Sequence, residues 1–199
     1  SQEILEHIQM IEVAVQDGKD TVRRMQDFTR KKKDQAFQPI DVKRLILDVV
    51  ALARPRWDKS RTSDAIIIEP VLELKDDLVI MGNRSELQNA LTNLVFNAVD
   101  AMSSGGVLTF RTDLVEDQVR IQVKDTGIGM TQETREKIFD PFFTTKGVQG
   151  VGLGMSEVYG VVDRHNGTIE VKSDIGKGTL ITLHFPPSSA KKEAIPTET

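Results

Sequence analysis

The stretch Asn83-Arg-Ser-Glu-Leu-Gln-Asn-Ala-Leu-Thr-Asn-Leu-Val-Phe-Asn-Ala-Val-Asp-Ala-Met102 reads as one helix with two distinct stripes. Leu87, Leu91, Leu94, Val95 and Ala98 recur at helical spacing and form a face that a core can bury. On the other side Asn89, Asn93, Asn97 and Asp100 follow one another at i, i+4 or i, i+3 steps. Such side chains compete for backbone hydrogen bonds and are mediocre helix formers. A whole stripe of them therefore needs a compensating partner outside the helix. Asn83 and Glu86 have the spacing of a capping box at its start, and Ser103-Ser-Gly-Gly106 stops it.

Beyond this helix the period changes to two. Strands are expected over 107–112 and 118–123, joined by Glu116-Asp117 as a hairpin, and the second runs straight into Asp125-Thr-Gly-Ile-Gly129. A short helix over 132–138 leads to 139–151, which contains Pro141, Gly147 and Gly150 without a clear period and reads as a mobile loop. Gly152-Leu-Gly154 opens a helix to His165, ended by Asn166-Gly167. A last strand pair is expected over 168–172 and 179–185, and a polar tail over 187–199 reads as disordered.

Upstream, strands are expected over 65–69 and 78–81, after a helix from Ile40-Asp41 to Trp57 with Val42, Leu45, Ile46, Val49 and Leu52 on its apolar side. A linker over 36–40 separates it from a first helix over 1–35. There Ile4, Ile8, Ile11, Val15, Val22 and Met25 form a narrow seam broken by Gly18, and the basic run Arg30 to Lys33 suits the helix C-terminus. Such a seam either packs on its own domain or forms half of an antiparallel hairpin that assembles with a second copy; its narrowness and charged flanks favour the hairpin.

The totals narrow the class. A hydrophobic share of 39% supports a real core, and a formal charge of -4 gives no basic excess for nucleic acid. The absence of cysteine excludes disulfides and thiolate metal sites and fits a reducing compartment. No run of about 18 apolar residues occurs.

Three motifs carry chemistry. Asn97 offers a neutral amide oxygen, a hard ligand that can complete a magnesium site mostly filled by phosphate and water, with Asn93 one turn before it; alternatively the two amides bond each other or a loop. Asp125 stands at a strand end beside Gly127 and Gly129, and a carboxylate accepts hydrogen bonds without donating any, which suits an exocyclic amino group such as that of adenine. Gly150-Val-Gly-Leu-Gly154 precedes a helix whose free N–H groups and partial positive charge favour phosphate, and Lys146 can add a point charge there. No Gly-x-x-x-x-Gly-Lys-Ser/Thr is present, so this is not a P-loop. Phe139, Pro141, Phe142 and Phe143 form an apolar knot, either a satellite core or a lid anchor.

In this order the Asn-bearing helix, Asp-x-Gly-x-Gly, Phe-x-Pro-Phe and Gly-x-Gly-Leu-Gly resemble the ATP-binding catalytic domain of sensor histidine kinases, within the gyrase, chaperone, kinase and mismatch-repair ATPase superfamily. The resemblance implies an α+β fold: an α/β sandwich over 41–186, with a mixed sheet, helices on one face and ATP between helices and lid. It implies that the first helix is the second helix of a dimerisation hairpin, in a homodimer. It assigns Asn97 to magnesium, Asn93 to the neighbouring amide, Asp125, Gly127 and Gly129 to adenine, and Gly150, Gly152, Leu153 and Gly154 to the phosphate side. Asp100, Phe142, Lys146 and Thr182 complete the expected nucleotide contacts, with Asn93, Asn97 and Lys146 in the catalytic set.

The same resemblance implies that hydrolysing members carry a glutamate base at the position of Asn93, and an amide cannot take a proton from water. Transfer of the γ-phosphate to a histidine and relay to a response regulator are therefore expected, in the cytoplasm or on the cytoplasmic portion of a membrane-bound sensor. An ATP-binding regulatory module without phosphotransfer is the alternative. Many such kinases carry Lys or Arg where Asp100 stands. None of His7, His165 and His184 has the acidic neighbour and nearby proline of a phosphoacceptor, so the acceptor helix is expected before Ser1.

Overall fold

The computed structural model describes residues 36–56, 67–147 and 151–188. The helix expected over 1–35, with His7, lies outside those residues, as do Gly150 and the tail beyond 188. Seven strands and four α-helices are described: β1 (Gln38–Asp41), α1 (Val42–Ala53), β2 (Ile68–Glu73), β3 (Val79–Gly82), α2 (Arg84–Ala101), β4 (Gly106–Val115), β5 (Gln118–Asp125), α3 (Gln132–Lys137), α4 (Gly154–Arg164), β6 (Thr168–Asp174) and β7 (Gly178–Phe185).

Alternation along the strands sets the faces of the main sheet. Leu108 and Phe110 of β4, Val119, Ile121 and Val123 of β5, and Ile181, Leu183 and Phe185 of β7 are buried, while Arg111, Gln118 and Lys124 between them are exposed. The order is β2-β4-β5-β7-β6, with β2 parallel to β4 and every other pair antiparallel. Pro70, which cannot donate to a ladder, stands on the edge strand β2. On the buried face Leu45, Ile46 and Val49 of α1, Leu91, Leu94 and Val95 of α2, and Val158, Val161 and Val162 of α4 join the sheet in one core. This is the expected α+β fold with a mixed sheet.

The ends of the folded unit differ from expectation. The stretch 36–40, read as a linker, contains most of β1, which pairs antiparallel with β3 and buries Ile40. Four residues with a proline among them are too few for alternation to show. Pro55 stops α1 at Ala53, before the expected Trp57, and a 3-10 turn follows over Arg54–Arg56. At the other end Pro187 bridges to Ile80 and the Ser188 N–H bonds the Val79 carbonyl at 2.8 Å, so order continues past the expected end at 186.

The expected capping box forms by half. Asn83 Oδ1 accepts the Glu86 N–H at 3.2 Å, but the Asn83 N–H goes to His165 Nε2 at 3.0 Å, and Glu86 instead receives Arg164 at 3.3 Å. His165 is 2% exposed, places Nδ1 2.7 Å from the Val161 carbonyl and stacks on Phe37 at 4.7 Å. With Nε2 accepting and Nδ1 donating, the ring is neutral, and burial holds its pKa below the usual value.

Candidate functional site

Helix α2 presents Asn93 and Asn97 half-buried beside the start of α4 and the loop after α3, whereas Asn89, farther back on the same stripe, is exposed. The two amides do not bond each other. Asn93 Nδ2 donates to Glu157 Oε2 on α4 at 3.2 Å, and Asn97 Oδ1 accepts from Lys146 Nζ at 3.1 Å. Lys146 also bonds Asp100 Oδ2 at 2.7 Å, and Arg56 reaches Asp100 Oδ1 at 2.9 Å from the turn after α1. Burial would raise the pKa of Asp100, but hydrogen bonds from Lys146 and Arg56 outweigh it and hold the carboxyl below its usual range.

At the end of β5 Asp125 is 5% exposed. Its Oδ1 accepts the N–H groups of Gly127 at 2.8 Å and Thr179 at 3.1 Å, and among the described residues nothing bonds Oδ2. Burial raises its pKa despite those two bonds. One oxygen thus fixes the carboxylate and the other stands ready to accept. The following loop is tied to the helix end, with the Ile128 N–H on the Ala101 carbonyl at 3.0 Å. Gly129 has φ 68° and lies so close to Asp174 that a Cβ would fall 1.9 Å from its carbonyl oxygen, which no other residue type tolerates.

The phosphate-side helix differs from its neighbours at its first turn. Asp41, Asn83 and Thr131 each cap a helix through a side-chain oxygen, whereas Leu153 caps α4 with no side-chain bond, which leaves N–H groups of its first turn without a side-chain acceptor. A Cβ on Gly154 would lie 3.9 Å from Asn93 Cγ, so those N–H groups begin beside the Asn stripe. Gly152 has φ 71° and its carbonyl accepts the Phe142 N–H at 3.0 Å, closing the base of the loop.

The family model of histidine kinase-, DNA gyrase B-, and HSP90-like ATPases matches residues 82–189, more than half of the chain. The chain belongs to this family. Sensor histidine kinase ZraS of Klebsiella oxytoca is 32% identical over 158 residues, covering 79% of this chain and 33% of ZraS, so the chain spans a minor part of that relative. The catalytic domain of histidine kinase ThkA is 30% identical with a TM-score of 0.65, covering 75% of this chain and 97% of that domain. Full-length ShkA, solved in complex with AMPPNP, is 26% identical with a TM-score of 0.67, covering 80% of this chain and 33% of ShkA. Within the ATPase family the chain is a catalytic domain of the sensor-histidine-kinase type.

In this sensor-kinase domain the sequence-expected residues divide. Asn93, Asn97, Asp100 and Lys146 converge along the C-terminal half of α2, with the Gly152-Leu153-Gly154 start of α4 beside Asn93, and the turn of Asp125, Gly127 and Gly129 adjoins the last residue of the same helix. Two others fall away. Thr182 pairs with Gln122, whose amide donates to it at 3.3 Å on the sheet face opposite the helices. Thr179, an odd number of residues earlier, shares the parity of buried Ile181 and Leu183, and it is the residue beside Asp125. Phe142 is 62% exposed with φ 68°, a strained geometry for a side chain of its size. Phe139 packs on Tyr159 at 5.6 Å and against the core, as a satellite-core residue does. Glu157 and Arg56 escaped the sequence reading because each joins the site only through the fold.

Proposed function

We propose that this chain binds Mg-ATP between α2, α4 and the intervening loop and donates the γ-phosphate to a histidine on a dimerisation helix, for relay to a response regulator. The observation that carries the reading is the half-satisfied Asp125 carboxylate, buried at one end of the helix whose other amides face a glycine-rich helix start. Asp125 Oδ2 accepts from the adenine amino group, the first-turn N–H groups of α4 donate to the phosphates, and Lys146 adds a cation. The relatives named sensor histidine kinases, and ShkA with AMPPNP, support the same assignment.

The donor set fits magnesium delivered on a nucleotide. Among the described residues no group of three or more His, Asp or Glu could hold a metal ion alone, while Asn97 offers one hard neutral oxygen. When bound, the ion neutralises charge on the transferring phosphoryl group. Asn97 would hold it, and Lys146 must then release the oxygen it now shares. The buried ring of His165, with both nitrogens engaged, is no acceptor, which supports an acceptor histidine on another helix.

Hydrolysis is the competing reading, and Glu157 is the observation that favours it, a carboxylate within hydrogen-bond reach of Asn93. Its bond to Asn93 instead serves to orient the amide. Titration calorimetry tests the nucleotide claim: ATP binds with magnesium and far more weakly with a chelator present. Equal binding in both conditions would overturn the metal assignment, and no binding in either would overturn the site.

A further inference from the structure

Arg56 approaches the Asn stripe from an element that the nucleotide reading does not use. The guanidinium carbon stands 4.5 Å from the centroid of Phe96, and one Nη2–H goes to Asp100 Oδ1. Among the described residues no other acceptor bonds it, so most of its five-donor fork is unspent. The side chains of Arg56, Lys146 and Asp100 remain 45%, 42% and 30% exposed, and ion pairs so wetted contribute little to stability. Fold stability does not account for two cations held on one carboxylate.

The geometry of the cluster gives it a direction. Asp100 lies one turn from Asn97, and contacts run without a break from Arg56 through Asp100 and Lys146 to the Asn97 oxygen. A lone carboxylate there would repel a triphosphate; with two cations on it the cluster carries one net positive charge. Lys146 belongs to the loop and must rearrange as magnesium takes Asn97. Arg56 stays fixed by Phe96 and by Asp100, with a planar fork that matches phosphate oxygens two at a time.

We propose that Arg56 is a phosphate-binding residue of this site, contacting the terminal phosphates of the nucleotide, with Asp100 holding its guanidinium in place. The proposal rests on the Mg-ATP reading above. Calorimetry on the full chain compares Arg56→Met, which keeps an apolar stem over Phe96, with Arg56→Lys and the wild type, using Mg-ATP, Mg-ADP and adenosine. The expected result for Arg56→Met is a loss of at least about tenfold in Mg-ATP affinity, a smaller loss for Mg-ADP and none for adenosine, with part of the loss restored by Arg56→Lys. Unchanged Mg-ATP affinity, or an equal loss for all three ligands, would overturn the role of Arg56 while leaving the nucleotide site standing. A wild type that binds none of them would overturn both.

Discussion

The two ends of the proposed nucleotide site are built from different materials. At the base end a short carboxylate is buried and pinned by two backbone N–H groups, so its position follows from strand ends and a glycine turn. At the phosphate end Asn97, Asp100, Lys146 and Arg56 hold one another through half-exposed side chains, two of them long and flexible. The first end is organised before any ligand arrives. The second holds two cations on one carboxylate, and magnesium must compete with Lys146 for the Asn97 oxygen to bind.

Substitutions at each end should break this contrast in different ways. Asn97→Ala gives the largest expected effect: Mg-ATP affinity falls by at least about 10–100-fold, the scale of losing a metal-site partner, while metal-free ATP binding hardly changes. Equal losses with and without magnesium in calorimetry would show that the two ends are not separable. Asp125→Asn is expected to weaken ATP by about 1–3 kcal/mol, with little change for GTP, because the amide cannot be relied on to accept from the adenine amino group. The same variant should melt slightly higher. Burial raises the Asp125 pKa, so its ionised form costs the folded state stability as pH rises through that raised value, and an amide avoids the cost. A lowered melting temperature in differential scanning calorimetry would contradict that account of the base end.

The smallest effect concerns the support behind both ends. Neutral His165 accepts the first N–H at the α2 cap, and the charged groups that face it, Glu86 and Arg164, pull its pKa in opposite directions while burial lowers it. Its folded pKa lies below its unfolded value, so its contribution is complete above about pH 6.5 and is lost as pH falls through the folded value. Urea midpoints should therefore decline on acidification from that point, and His165→Phe should flatten the decline. A midpoint that is indifferent to this substitution would remove His165 from the acid response.

What the sequence displayed and what it hid follow from the range of each interaction. The α2 stripes, the hairpin and the Asp125 turn were legible because their periods and turn residues act within a few positions. Thr179 was legible in principle: with Ile181, Leu183 and Phe185 it keeps a period of two that places Thr182 on the other face. Arg56 and Glu157 had no such signal. Arg56 meets Asp100 across 44 positions of sequence and Glu157 meets Asn93 across 64, and no local pattern encodes a pairing made by packing. The short strand β1 was hidden for a similar reason, since β3 supplies its partner from forty residues away.

The central claim is transfer rather than hydrolysis. Its most direct measurement incubates the chain with γ-labelled ATP, magnesium and a separately supplied dimerisation-helix fragment from a related sensor kinase, and follows both the label and free phosphate. The account predicts acid-labile, base-stable label on a histidine of the supplied helix, with free phosphate release near background. Steady phosphate release that disappears in Glu157→Gln, with no label on the helix, would contradict it.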